Sequence, residues 1–403
     1  MPLNEVHRLH TLVVTLLGQD PAHRNFTLNG NAFQQDAIIS FKGWQYAVFY
    51  SSCSLPGTEN DTQLEPLFVC LARRRLPDTE WQTIVFDDYR QTTDDGHNTV
   101  QMGICPGDGI IHPSYDHHCD VLRYRYSIEG IASDPERFRW SKDVFTSTLN
   151  HVPGIDEPHE NFGYVTYPLF GTLGDDMFFS IRNGKAGLED DLLYIYHAAT
   201  GLHDWDDPLD TKNKQQAGPN GAENNHNICY AYSNDRGYTW KNGQDETIAP
   251  LNEGGSITPY CPGLVAFEIP KGRGLTNQEA QAVDQEGGHI IGPVPSPRRG
   301  RLAIGKTGDL FLILPDPTDS SIRILKSSKA KAYADAVEIW SGVGFIGEPL
   351  VDIKRLEEED IMSIFAIAKS ATSSEDRQVV VLDFRTWRKC AGRESDEPVP
   401  SRG

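Results

Sequence analysis

Long apolar runs are missing from this chain of 403 residues. No stretch approaches the roughly 18 consecutive apolar residues of a membrane-spanning helix. The apolar segment from Thr11 to Leu17 is short, broken by threonines and without the charged flank and small-residue cleavage site of a signal peptide. Neither a membrane partner nor a visible secretion signal is therefore expected. Positive charge is scarce as well: 37 Lys and Arg against 57 Asp and Glu give a formal charge of −20, which excludes the basic footprint that nucleic-acid recognition requires. Seven cysteines, an odd number without CxxC spacing, suggest neither a zinc ribbon nor a disulfide framework. Helical periodicity of useful length is nearly absent. No Gly-rich phosphate loop, GxSxG elbow or HExxH helix is found, so phosphate-loop enzymes, α/β-hydrolases and zincins are set aside.

What the chain has in quantity is short β-strands and the means to turn them, with 36 Gly and 25 Pro. From Asp36 the runs DAIISF, QYAVFYS, PLFVCLARR and EWQTIVF alternate apolar and polar residues, carry β-branched and aromatic side chains, and are bounded by Gly, Pro, Asn and Asp. Four such strands make one antiparallel sheet. TVQMGI, GIIHPSY, VLRYRYS and a strand near Phe138–Trp140 read as a second. YVTYPLF, DMFFSIR and DLLYIYHA, with Trp205 at the outer end, read as a third. Strands continue to Gln378–Phe384, which is placed to complete a blade begun by the N-terminal strands and so to leave no open edge. Four-stranded units repeating at blade length are the sequence form of a β-propeller. The expected architecture is all-β, a seven-bladed propeller of four-stranded antiparallel blades over residues 1–387, followed by a polar tail at 388–403. Ser233-Asn-Asp-Arg-Gly-Tyr-Thr-Trp240 fits the Asp-box pattern, in which Asp235 accepts backbone N–H groups and Gly237 supplies a positive φ. Asp235 is thus read as a folding residue. The polar segment 206–223 and the short Pro293–Gly300 fit the strand pattern poorly and read as long loops or shortened blades.

Chemistry concentrates in His97–Ser127. His97, Asn98, Asp116, His117 and His118 lie in one expected blade, and the turns bearing His97 and His118 can meet at the same end of a sheet. Adjacent residues of a strand face opposite ways, so one of His117 and His118 points to a pocket; which one is left open. Thr166-Tyr167-Pro168 and Ile181-Arg182-Asn183-Gly184 form a second constellation, with Arg182 suited to clamp a carboxylate. The polar run Leu275–Gln281, which includes Gln278 and Glu279, and the run Glu348–Asp352 read as inter-blade hydrogen bonding or as an ion site.

GHN followed by GICPGDGIIHPSYDHHCDVLRYRYS, then YVTYPLF, SIRNGKAG and the Asp box ICYAYSNDRGYTWKN together resemble the BNR-repeat polysaccharide lyases. These are seven-bladed propellers that include ulvan lyases and fungal lyases of rhamnosyl-glucuronate linkages. NQEAQAVD and GEPLVD are more similar to the fungal group, and the resemblance spans Phe33 to Phe384. It implies β-elimination at a uronate of an acidic glycan, with Arg182 neutralising the carboxylate and His97, His118 or His117, and Tyr167 sharing the base and acid roles in an unassigned order. Asn98, Gln278 and Glu279 are the candidate substrate contacts. The chemistry needs no cofactor; a structural calcium or zinc ion is consistent with the family, with no ligand set assigned. A monomer acting outside the cell is the expectation the resemblance carries. Segments 206–223 and 293–300 depart from the family pattern, which predicts missing substrate contacts there. The rival readings are a sialidase-like glycoside hydrolase and an inactive carbohydrate-binding propeller.

Overall fold

The computed structural model describes residues 9–386 apart from 10, 22, 53–65, 156–159, 186–187, 197–202, 207–225, 251–252, 256, 259, 273–279, 285, 287–288, 293–297 and 370–376. The expected loop 206–223 and the polar tail fall almost wholly outside these residues. The chain is a β-propeller whose first blade is the meander Ile38–Phe41, Trp44–Ser51, Leu67–Arg75 and Gln82–Gln91. Its strands follow the alternation read from sequence because each buries one or both faces between neighbouring sheets. Val48 and Phe49 of this blade share a core with Val100 and Met102 of the next and with Phe365, Val379 and Val381 of the last.

Among the described residues four sheets have the width of a blade, and this corrects the expectation of seven. They are the first blade; the five-stranded sheet His118–Asp120, Val165–Leu173, Asp176–Lys185, Leu188–Tyr196 and His203–Asp206; the sheet Arg301–Ile304, Leu310–Asp316, Ser321–Ser327 and Val337–Val343; and the closing sheet. Between them the described strands pair only two by two: Val100–Ile104 with Ile111–Tyr115, Ile228–Cys229 with Val265–Phe267, Thr239–Lys241 with Thr247–Pro250, and Ala280–Val283 with His289–Gly292. The second expected blade shows why. VLRYRYS touches its neighbours through single bridges, Ser114 to Tyr124, Tyr124 to Leu149 and Ser127 to Phe145. Its side chains are tied up in tertiary bonds instead: Arg125 on Asp88 at 2.5 Å, Tyr124 on His112 at 2.7 Å. Here packing has replaced the ladder that period-two alternation predicts.

The ring closes as expected. Thr11–Asp20 pairs antiparallel with Arg377–Arg385, which continues to Ile361–Lys369 and Phe345–Val351. Where the closing sheet meets the first blade lies a buried ionic cluster. Asp383 accepts from Arg74 at 2.8 Å and from Arg355 at 2.9 Å. The Gln45 side-chain oxygen accepts from Arg74 at 2.6 Å, and its amide donates to Asp352 at 2.7 Å. Asp352 in turn caps the short helix Ile353–Glu359 by accepting the Arg355 N–H. Charges taken out of water must be paired, and each here has at least one partner.

The Asp box is a turn, as its spacing requires. Asp235 accepts the Thr239 N–H at 2.8 Å, the Ser233 hydroxyl oxygen accepts the Gly237 N–H at 2.8 Å, and Gly237 adopts φ 95°. Among the described residues no helix is long and apolar enough to cross a membrane.

Candidate active site

The loop leaving the first blade turns at Asp95-Gly96. Asp95 accepts the His97 backbone N–H on its side-chain Oδ1 at 2.9 Å and the Asn98 N–H on its carbonyl at 3.0 Å, a local turn that Asp-Gly favours. The turn lays the His97 ring on the same carboxylate, Nδ1 to Oδ1 at 2.6 Å. From the opposite side His118, at the edge of the five-stranded sheet, brings its Nδ1 to Oδ2 at 2.6 Å. The two imidazoles stack with centroids 4.0 Å apart and planes 25° apart.

A carboxylate only accepts, so each Nδ1 carries a hydrogen, and a neutral His97 keeps a free lone pair on Nε2. One side chain thereby orients two imidazoles. Burial alone would raise the Asp95 carboxyl, but the His97 backbone N–H and the two ring N–H groups outweigh it and hold it down at about 2. His97 is shifted below the ordinary imidazole value, first by burial and then by repulsion from His118 and Arg182, against the attraction of Asp95. At neutral pH it is an uncharged base. If it takes the substrate proton, activity is lost as pH falls through its pKa. The acid limb of a kcat/KM profile should then lie below the usual imidazole range; a limb above that range would remove His97 from the role.

Asp116 decides which of the adjacent histidines takes part. It sits at φ 65° between Ile111–Tyr115 and His118–Asp120, and its carboxylate accepts from the Tyr89 hydroxyl, from Asn98 at 2.6 Å and from Gln91 at 3.3 Å. The left-handed residue redirects the chain, so that His117 goes into the protein and His118 comes out. His117 is buried, its Nε2 accepts the Arg123 backbone N–H at 2.7 Å, and burial pushes its pKa far down. It is not brought to the His97–His118 pair. Asn98 is likewise buried; its side-chain NH2 donates to Asp116, while its side-chain oxygen is buried without a partner. Gln278 and Glu279 lie outside the described residues.

Tyr167 reaches the pair through a bulge. Ser180 opposes Leu169 while Arg182 opposes Thr166, so Tyr167-Pro168 slips out of register with its neighbour strand. Tyr167 has φ 54°, a conformation costing about 1–3 kcal/mol in a residue with a side chain and met most often at functional sites. Its ring centroid lies 5.8 Å from that of His97. The Arg182 guanidinium carbon sits 4.5 Å from the Tyr167 ring centre, and Arg182 Nε is buried without a hydrogen-bond partner. The structure thus brings His97, His118, Tyr167 and Arg182 together.

Two members of the cluster escape the strand-based reading. Phe33 stacks on Tyr167 at 5.4 Å and 20° and lies 4.5 Å from His97. It is carried by the turn Gly30–Gln34, which is stitched to the loop of the first blade by Asn31 donating to the Gly96 carbonyl at 3.0 Å and Gln101 donating to that of Phe33 at 2.9 Å. Nothing periodic marks that turn. Asp95 did leave a signal, the Asp-Gly pair two residues before His97. As for a metal, Asp95, His97 and His118 offer ligand atoms within 4.8 Å of one another. Coordination through the Nδ1 atoms would have to displace both 2.6 Å bonds; an imidazole that donates its Nδ1–H to a carboxylate offers a metal its Nε2 instead.

The fold is that of a known propeller class. The chain matches the BNR repeat-containing family over residues 44–217 and 215–304, more than half of its length, and belongs to that family. The curated protein "Ulvan lyase, long isoform" of Alteromonas sp. is 26% identical over 171 residues, 35% of this chain and 16% of the relative. Its namesake from Glaciecola sp. (strain KUL10) is 31% identical over 104 residues, 20% of this chain and 10% of the relative. The matched region therefore spans under a fifth of those relatives. The crystal structure of polysaccharide lyase Uly1 superimposes with a TM-score of 0.69 at 17% identity, covering 94% of this chain and all of that one, which shows the shared fold.

Proposed function

We propose that this protein is a polysaccharide lyase that opens a glycosidic bond to a uronate by β-elimination, with a rhamnosyl-glucuronate linkage as the substrate. One observation carries the reading: a single carboxylate orients two imidazoles and leaves the uncharged His97 in the tautomer of a base, beside a tyrosine overlaid by an arginine whose Nε is unspent. A proton α to a carboxylate is a very weak acid. Arg182 binds the uronate carboxylate and stabilises the negative charge that spreads onto it as the C5–H bond breaks. His97 Nε2 takes the C5 proton. The electron pair forms the C4–C5 double bond and expels the O4-linked sugar, whose oxygen receives the Tyr167 hydroxyl proton. His118 holds the second oxygen of Asp95 and keeps the carboxylate aligned with His97.

Apart from sialidases, which use a tyrosine nucleophile, a hydrolase would need two carboxyl groups facing the scissile bond. Among the described residues of this cluster the one carboxylate is Asp95, and both its oxygens are engaged by imidazoles. The names of the matched relatives and the Uly1 fold support a lyase. The test is incubation with a glucuronate-rich glycan such as gum arabic or ulvan, following ultraviolet absorbance and reducing ends together. A lyase yields both, because the product carries a conjugated C4–C5 double bond. Reducing ends without absorbance would make the protein a hydrolase, and binding without either would make it a carbohydrate-recognition propeller.

A further inference from the structure

The first blade has two ends, and the histidine cluster occupies one of them. Gln91, the last residue of the outer strand, pairs with Leu67, and the loop to Asp95 and His97 leaves from there. At the other end Trp44 pairs with Arg75, and Arg73 with Gln82. The strand Trp44–Ser51 that joins the two has 8 residues, so the ends stand about 25 Å apart. The far end holds a cavity of about 520 Å3 walled by Trp44, Arg75, Asp78, Glu80, Trp81 and Gln82. Pockets for small ligands span roughly 300–1,000 Å3.

The walls are fixed by bonds of their own. The Leu76 N–H donates to the Gly43 carbonyl at 2.9 Å and the Asp78 N–H to the Arg75 carbonyl at 2.7 Å, which ties the turn after Arg75 to the turn before Trp44. The Trp81 indole N–H donates to the Thr15 hydroxyl at 3.0 Å. The Arg73 guanidinium carbon lies 4.9 Å from the Trp44 ring centre, and that of Arg74 lies 4.6 Å from Trp81. Each indole is thus set by a buried guanidinium, yet each stays partly exposed in the cavity wall. The cations themselves are committed. Arg74 pairs with Asp383 at 2.8 Å, and Arg75 with Glu136 at 2.9 Å. Arg73 donates to the Gln82 side-chain oxygen at 3.0 Å and to the Pro135 carbonyl at 2.9 Å. Asp78 and Glu80 are exposed, and among the described residues neither is paired with a cation.

What the cavity presents to a ligand is flat aromatic surface, two carboxylates and the Gln82 amide. A carboxylate accepts from two neighbouring hydroxyls, and an amide both donates and accepts. The C–H face of a sugar ring rests on an indole as other apolar surface does. The unpaired negative charges repel an acidic sugar, and a cationic ligand would find a guanidinium already placed on each indole. We propose that this groove is a second carbohydrate site, which binds uncharged sugar residues of a glycan at the end of the blade remote from the histidines. It stands apart from the lyase reading, because it requires binding and no turnover. A polymer held there by its neutral residues keeps the protein on the chain and raises the local concentration of further binding sites.

The experiment titrates the full chain with short neutral oligosaccharides of rhamnose, arabinose and galactose, with oligogalacturonate and with tetralysine, and reads tryptophan fluorescence and heat. At least one neutral series should bind saturably with a Kd of about 0.1–10 mM. Glu80→Ala and Trp44→Ala should each raise that Kd roughly tenfold or more. Glu80 is exposed, so its variant keeps the fold and the result stands even where Trp44→Ala does not fold. Arg182→Ala, altered at the other end of the blade, should bind the neutral probes as wild type does. Any oligogalacturonate affinity should be the same in wild type and Glu80→Ala. No saturable binding of a neutral probe up to about 50 mM would overturn the proposal. So would neutral binding that Arg182→Ala abolishes and Glu80→Ala leaves intact, which would put the sugar at the histidine cluster. Tetralysine binding lost in Glu80→Ala, with the neutral probes silent, would make the groove a cation site instead. Oligogalacturonate binding that Glu80→Ala weakens would overturn the selection for uncharged sugars.

Discussion

Arg182→Ala should lower kcat/KM on a uronate glycan by about 10²–10³, the usual loss when one donor to a developing anion is removed. Two features make the expected loss large. Arg182 lies over the ring of the residue assigned as acid, with its Nε buried and unpartnered. Without it the uronate keeps its full negative charge, and each increment of charge moved onto it from C5 meets repulsion instead of a cation. A second readout separates this role from simple loss of binding. Arg182 is one of the charges that depress the His97 pKa, so its removal should raise that pKa. A base with a higher pKa is protonated at higher pH, and the acid limb of the profile should therefore move upward in the variant. Unchanged turnover, or a loss with no movement of the limb, would contradict the assignment.

The second large effect lies far from the chemistry. Asp383→Ala should cost about 3–5 kcal/mol of stability, measured by urea or thermal unfolding, as expected for removing one partner of a buried ion pair. Asp383 is nearly inaccessible and bonds Arg74, Arg355 and Ser363 at once. The alanine would leave two guanidinium groups facing each other at the seam of the ring. Asp383→Asn keeps an acceptor and should cost less. A loss below about 1 kcal/mol for the alanine, the level of an exposed pair, would show that the seam is held by packing alone.

The strand order and the closing of the ring are legible in the sequence because alternation and β-branched residues report burial directly. Gln378–Phe384 is a nearly pure apolar run, as a strand buried on both faces must be. Blade width is not legible, because a segment such as VLRYRYS has strand composition but spends Tyr124 and Arg125 on His112 and Asp88. Of the site, His97, His118, Tyr167 and Arg182 are residues whose types announce their chemistry. Phe33 is invisible because it sits in an aperiodic turn and meets His97 only through a contact of long sequence separation. The choice between His117 and His118 rested on the backbone of Asp116, and a left-handed aspartate leaves only a weak mark in sequence.

The strand Thr11–Asp20 has one ladder partner, and that partner is the last described strand of the chain, with Thr11 opposite Phe384. During synthesis at roughly 5–20 residues per second, the N-terminal strand emerges first and waits on the order of half a minute for its mate. Over that interval its ladder amides are unclaimed, although Leu17 and Thr15 can already meet the first blade. The protein is thus born as an open arc. The late arrival of Arg377–Arg385 turns the arc into a ring, and until then whatever shields a lone apolar strand in the cell governs the yield of folded protein.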